Sequence, residues 1–279
     1  THHIPAGVFF GIPSIIGPGC VLNVDKLMEE MDILSRGGIN LKDNLKVASN
    51  VHIITDAHVE EDSKDEKIGT TKSGNGPAYR DKYARTGVRA SDIDFLKPFL
   101  VDVYEELHNS DVEPVILMEG AQGFWLDPDW GDYPYVTSSH CTSASALLSG
   151  IPPQSVNKVW GVAKIYETYV GAKKFESDEE IFKIIRNIGK EYGATTGRPR
   201  QCNWLNWDFL EKSVKMNGVT DLVLNKMDVL RQINKWSLIH NDKKITFDTE
   251  AKMKKWIVQK ANLLPTVSNV YFSGDPNGL

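Results

Sequence analysis

Short apolar runs bounded by turn residues alternate with amphipathic stretches of helical period along this chain, and that alternation confines the fold to few options. Val51 to Thr55 (VHIIT), Val115 to Met118 (VILM), Val159 to Ala163 (VWGVA), Leu222 to Leu224 (LVL) and Val270 to Phe272 (VYF) read as buried strands. Helices fall between them. Val24 to Arg36 repeats apolar residues at Leu27, Met31 and Leu34 and stops at Gly37-Gly38. Asp178 to Tyr192 sets Ile181, Ile184, Ile185 and Ile188 on one face, with Ser177 as N-cap and Gly193 past the end. Trp207 to Met216 carries Leu210 and Val214 and ends near Gly218; Thr249 to Ala261 carries Met253, Trp256 and Ile257. Strands alternating with helices predict an α/β fold with a mostly parallel central sheet flanked by helices. Ligands of such sheets gather beyond the carboxyl ends of the strands.

At 279 residues, 41% of them apolar and 25% charged, the chain is long enough for one large or two modest domains. It shows no repeat, low-complexity tract or clear linker and reads as a single domain over 1–279. A net charge of −5 argues against an extended nucleic-acid surface. Cys20, Cys141 and Cys202 are odd in number and lack zinc or disulfide spacing, which suits a reducing compartment. No apolar run has the length of a membrane span and no signal-peptide pattern is read, so a cytoplasmic location is expected. The charged run Glu60 to Lys67 reads as a solvated face or loop.

Four segments carry recognition chemistry. Glu191-Tyr-Gly-Ala-Thr-Thr-Gly-Arg-Pro-Arg200 packs hydroxyls, glycines and arginines into one loop. Guanidinium forks match carboxylates and phosphates, and glycine permits close backbone approach. The alternative is an ordinary polar turn. Ile68 to Arg89 has Gly69, Gly74 and Gly76 among Thr70, Thr71 and Ser73, a composition that can offer successive N–H groups to a phosphate. Lys82, Arg85 and Arg89 would then share one helix face; a flexible loop beside a basic helix is the plainer reading. In Met118 to Ser139, Gln122 between Gly120 and Gly123 has an amide that donates and accepts, as a purine edge requires, and Thr137, Ser138 and Ser139 add hydroxyls. Asp127, Asp129 and Asp132 could form a hard-metal loop, but a turn rich in Asp, Pro and Gly is preferred. Finally, Asn225-Lys-Met-Asp228 follows an apolar strand. An aspartate there accepts from the N1–H and 2-amino groups of guanine, a donor pair adenine lacks. Ser273-Gly274, after the last strand, would form a second wall. His58 and His140 lie near these segments and read as supporting or surface residues. No Ser-His-Asp or Cys-His arrangement stands out, and the switch elements of a signalling GTPase are not visible.

Taken in order, GTTKSGNGPAYRDKYARTGVR, EGAQG with GDYPYVTSS, VGA at 170–172, YGATTGRPR and NKMDVL resemble the adenylosuccinate synthetase family over about His2 to Ser273. The resemblance implies a P-loop-GTPase-like ligase core that joins aspartate to IMP at the expense of GTP, with Mg2+ as metal cofactor. The purine 6-oxygen attacks the γ-phosphate, and the aspartate amino group displaces the phosphate ester. It implies that Gln122 bonds the base near its reacting oxygen, and that Thr71 and Thr137 hold the 5′-phosphate. Arg85 would reach a neighbouring subunit's nucleotide in a homodimer. Thr195, Thr196, Arg198 and Arg200 would hold the aspartate carboxylates, and Lys226, Asp228, Ser273 and Gly274 would hold guanine. The metal ligands are not assigned.

Departures accompany it. The family opens with a strand, a glycine-rich loop bearing the general base and a Gly-His segment bearing the acid. Thr1 falls just after both, so the chain reads as N-terminally truncated and is expected to turn over little or not at all with GTP, IMP and aspartate; turnover by the purified chain would refute this. Tyr169, Pro199 and Ser73 replace family arginines, and the segment from Arg89 to Val115 is short, as in archaeal and viral forms. Some viral relatives use dGMP in place of IMP, which is the second reading; a non-catalytic nucleotide-binding protein is the third.

Overall fold

The computed structural model describes residues 1–109, 113–194 and 196–275. Its contacts divide the chain into two compact units, Thr1–Glu66 with Lys72–Ser155, and Lys67–Thr71 with Val156–Leu279.

The first unit contains β1 (Ser14–Ile16), β2 (Val21–Leu22), α1 (Val24–Arg36), α2 (Leu41–Asn44), β3 (Leu45–Ala48), β4 (His52–Ile53), α3 (Asp56–Ser63), α4 (Asn75–Ala84), β5 (Leu100–Val101), α5 (Val103–His108) and α6 (Ser145–Leu148). β1, β3 and β5 form one parallel sheet, and β2 pairs in parallel with β4. The core gathers Leu22, Leu27, Leu45, Val47, Val51 and Leu96. α1 has the bounds its period predicts. Asn23 caps it by accepting the Lys26 N–H, and the side chain of Leu27 is fully buried.

The second unit contains β6 (Trp160–Lys164), β7 (Tyr166–Tyr169), α7 (Ile181–Gly189), β8 (Gln201–Trp204), α8 (Trp207–Asn217), β9 (Asp221–Asn225), α9 (Met227–Ile233), β10 (Trp236–His240), β11 (Lys243–Phe247), α10 (Glu250–Ala261) and β12 (Asn269–Phe272). β9 lies between β12 and β6, parallel to both, so Leu224 stands beside Phe272 and Ala163. β7 and β8 pair antiparallel across the intervening α7, and β10 with β11 is an antiparallel hairpin. The α/β class with parallel pairing expected from the sequence is the one observed.

Four expectations are corrected. Val115 to Met118 is not a strand; it belongs to no helix or sheet among the described residues, and Val115 and Leu117 are almost fully exposed. Apolar content alone did not supply a pairing neighbour. α7 is shorter than 178–192: Glu180 rather than Ser177 precedes it, and Lys190 turns left-handed to end it before Gly193. Ile184 is half exposed, while Phe182 and Ile185 fill the core. The Lys82, Arg85 and Arg89 face does not form, because α4 stops at Ala84, Arg85 is left-handed at φ 66 and Arg89 is extended. The Glu60 to Lys67 run is not wholly solvated: Asp62 is buried and accepts the Gly74 N–H at 2.8 Å.

Candidate functional site

The Asn225 to Asp228 segment sits at the carboxyl end of β9, where parallel sheets present ligands. Lys226 is left-handed at φ 65, and its Nζ donates to the Gly189 carbonyl at 3.1 Å. Asp228 lies in the first turn of α9, where a carboxylate is favoured by the helix dipole. The chain beyond β12 comes alongside. The Met227 N–H donates to the Ser273 carbonyl at 3.1 Å, and the Ser273 N–H to the Leu224 carbonyl at 2.9 Å. A Cβ at Gly274 would fall 3.1 Å from the Asp228 nitrogen and 2.5 Å from Arg231 Nη1, so only glycine fits there without displacement. Lys226, Asp228, Ser273 and Gly274 are therefore brought together.

The arginine loop is a short hairpin. The Arg200 N–H donates to the Glu191 carbonyl at 2.9 Å, the Gly193 N–H to the Arg198 carbonyl at 2.8 Å, and the Gly197 N–H to the Gly193 carbonyl at 2.8 Å. Arg198 faces the Lys67–Thr71 segment of the same unit: its Nη2 donates to the Gly69 and Thr70 carbonyls at 2.9 and 3.0 Å, and its Nε to Thr196 Oγ1 at 3.3 Å. Ala172 flanks that segment from another side, its N–H donating to the Ile68 carbonyl at 3.2 Å. Thr71 and Thr196 are exposed beside this clamp. Thr195 lies outside the described residues.

Beneath the hairpin is a cluster that sequence reasoning missed. Glu191 is 3% exposed; it accepts from Tyr166 Oη at 2.7 Å and from Lys164 Nζ at 2.6 Å, and Arg200 Nε lies 3.8 Å away. Burial lowers the Lys164 pKa against the pull of Glu191, and burial with that same hydrogen bond raises the Tyr166 phenol. No spacing rule links 164, 166 and 191. The only signal was a glutamate opening the loop.

Gln122, Thr137 and Arg85 belong to the first unit. Gln122 is exposed with φ 66, a left-handed backbone unusual outside glycine and asparagine. The Thr137 N–H donates to the Leu126 carbonyl at 2.7 Å. Asp127, fully buried, ties this loop together by accepting the Asp129 N–H at 3.0 Å and the Cys141 N–H at 2.7 Å. Burial pushes its carboxyl up, but these N–H groups and His140 hold it below the usual range. Arg85 is exposed at the end of α4. The glycine loop does not offer all its N–H groups outward, since Gly74 is committed to Asp62. His58 is a helix cap, accepting the Thr55 N–H on Nδ1 at 3.1 Å and pairing through Nε2 with Asp81 at 3.1 Å.

Asp127, Asp129 and His140 approach one another closely enough to suggest a metal. They do not fit magnesium: both Asp127 oxygens are occupied by backbone N–H groups, and an imidazole is a poor partner for a cation that demands six oxygens. The turn reading stands for these aspartates.

A family model described as adenylosuccinate synthetase matches residues 1–95 and 93–243. The adenylosuccinate synthetase of Caldanaerobacter subterraneus is 35% identical over 84% of this chain and 68% of its own length. That of Salinibacter ruber is 36% identical over 84% of this chain and 66% of its own length, so the chain spans about two thirds of such relatives. Among solved structures, fully ligated adenylosuccinate synthetase from Plasmodium falciparum superposes with a TM-score of 0.84 at 27% identity, covering 99% of this chain and 86% of that one. A cyanophage S-2L succinoaminodeoxyadenylate synthetase bound to dGMP and dATP gives 0.73 at 20% identity over 99% and 78%, a likeness of fold alone. With the Asn225 to Asp228 loop and the arginine hairpin set out on this fold, the chain belongs to the adenylosuccinate synthetase family, GTP-dependent ligases that form a C–N bond between aspartate and IMP.

Proposed function

We propose that this chain acts in purine nucleotide synthesis by joining aspartate to IMP with GTP as phosphoryl donor. The purine 6-oxygen would attack the γ-phosphorus and release GDP. The aspartate nitrogen would then attack C6 and expel phosphate. A carbonyl oxygen is a poor leaving group, and its phosphate ester a good one, which is why a nucleoside triphosphate is consumed. The observation that carries this reading is the arginine hairpin, where Arg200 has its stem held and its outer nitrogens without a protein acceptor among the described residues. A fork in that state suits a carboxylate.

Within this reading Arg198, Arg200, Thr195 and Thr196 hold the dicarboxylate, and Thr71 and Thr137 hold the 5′-phosphate. Gln122 bonds the base near the reacting oxygen. Lys226 covers the guanine plane, Asp228 takes its N1–H and 2-amino group, and Ser273 with Gly274 closes the far side. Arg85, exposed at a helix end, would reach the nucleotide of a second subunit in a homodimer. Magnesium would arrive on the triphosphate, since it commonly binds through substrate phosphates and retained waters. No helix among the described residues is long and apolar enough to cross a membrane, and a cytoplasmic setting suits soluble substrates.

Titration calorimetry with IMP and with dGMP tests the acceptor. Tighter binding of IMP supports the reading. A preference for dGMP of about tenfold, or about 1.4 kcal/mol, would transfer it to the 2-amino reaction. Binding of neither would overturn it.

A further inference from the structure

We propose that the buried Glu191 carboxylate is the positioning group of the arginine hairpin, holding Arg200 by its stem so that its outer guanidinium nitrogens face a ligand carboxylate. The two arginines of the hairpin are in different states. Arg198 spends Nη2 on the Gly69 and Thr70 carbonyls and Nε on Thr196, so it acts as a clamp. Arg200 is fixed everywhere except at its tip. Its N–H donates to the Glu191 carbonyl, its carbonyl accepts from Arg186 Nε at 2.6 Å, and its Nε donates to the Tyr192 carbonyl at 3.3 Å and lies 3.8 Å from Glu191 Oε2.

Glu191 is itself held from two sides. Tyr166 Oη and Lys164 Nζ each donate to one of its oxygens, and Lys164 also donates to Thr168 Oγ1 at 3.0 Å. The carboxylate can enter this position because Gly189 has no side chain: a Cβ there would lie 3.2 Å from Glu191 Cγ. One carboxylate thus faces the two cations Lys164 and Arg200. The surplus of positive charge favours a second anion at the open fork, and the buried carboxylate keeps the guanidinium from collapsing onto other acceptors. Glu191 would not touch the ligand; it acts through Arg200. The inference rests on the dicarboxylate reading of the hairpin for its ligand, but not for its geometry.

Hydrogen–deuterium exchange of the full chain and calorimetric titration of L-aspartate in the presence of IMP test it together. In Glu191→Gln, the Gly193, Gly197 and Arg200 amides should exchange faster. The aspartate Kd should rise about tenfold while the IMP Kd changes little. Tyr166→Phe keeps the charge and removes one donor, so it should move both in the same direction by about threefold, the scale of one hydrogen bond. A merely structural role would lower thermal stability without separating aspartate from IMP. A folded Glu191→Gln with unaltered hairpin exchange overturns the proposal. If that variant does not fold, unaltered exchange and aspartate affinity in Tyr166→Phe overturn it. Faster hairpin exchange in the variants alongside a wild-type chain that takes no aspartate supports the positioning role and removes the dicarboxylate as its ligand.

Discussion

The end of α7 passes so close to β7 that a Cβ on Gly189 would come within 2.4 Å of the Tyr166 hydroxyl oxygen. Alanine is normally the better helix residue by up to about 1 kcal/mol. Here the obstructing atom ends a rigid ring whose hydroxyl is bonded to Glu191, so the contact decides the sign. Gly189→Ala is expected to destabilise the fold by about 1–3 kcal/mol, the usual cost of overpacking. Urea unfolding measures it; a stabilised variant would show that the ring yields freely.

Asp228 should set the choice of base. Replacing it by asparagine presents an amide donor to the guanine donors and removes the charge from the acceptor. The preference for GTP over ATP in competition binding should fall about tenfold to a hundredfold, the range of a hydrogen bond to a charged group. An unchanged preference would remove Asp228 from the base site.

Glu167 on β7 should make stability fall as pH rises toward neutrality. Burial pushes its carboxyl up to about 7, against the Asn206 N–H at 3.1 Å and the field of Lys173. With a folded pKa above the unfolded one, the folded chain binds the extra proton between the two values. Stability is therefore full below the ordinary glutamate range, declines toward pH 7 and is flat above it. Glu167→Gln should be about 2 kcal/mol more stable than the wild type at pH 8 and equal to it near pH 4. Thermal melts across that range check it, and a difference independent of pH would contradict it.

Glu250 works in the opposite direction. Arg231 meets both its oxygens at 2.8 Å and Lys254 adds a contact at 2.7 Å, so its carboxyl is lowered to about 2 by these partners, with Arg231 foremost. A lowered pKa gives stability that is present above the unfolded value and lost as pH falls toward 2. Glu250→Gln should cost about 1–2 kcal/mol at pH 7 after allowance for partial exposure, and the cost should shrink below about pH 4. Chemical unfolding at the two pH values tests this.

Periodicity made the helices α1, α8 and α10 legible, because each buries apolar residues in its own unit, and apolar content made β9 legible, with Leu222, Val223 and Leu224 buried. β6 and β12 pair with β9 as strands but are not buried ones, since Trp160 and Val162 are exposed and Val270 to Phe272 are only half-buried. The β10–β11 hairpin was missed although its turn was readable: Asn241 and Asp242 both have positive φ, and residues tolerant of that geometry between two apolar alternations mark a two-residue hairpin loop. Val115 to Met118 misled because an apolar run specifies burial only where a neighbour exists to pair with it. The placement of the Asn225 to Asp228 loop was visible since its residues are consecutive and follow a strand. Glu191, Tyr166 and Lys164 were not, since their meeting depends on a glycine 23 and 25 residues away from two of them and on the hairpin's return.

The most direct test of the account is a titration of L-aspartate into the chain saturated with IMP and GDP, repeated with Arg200→Ala. The account predicts one-to-one binding by the wild type and a Kd raised at least about tenfold in the variant, the loss of a charge-assisted pair. Equal aspartate affinity in the two proteins, or no binding by the wild type, would contradict it.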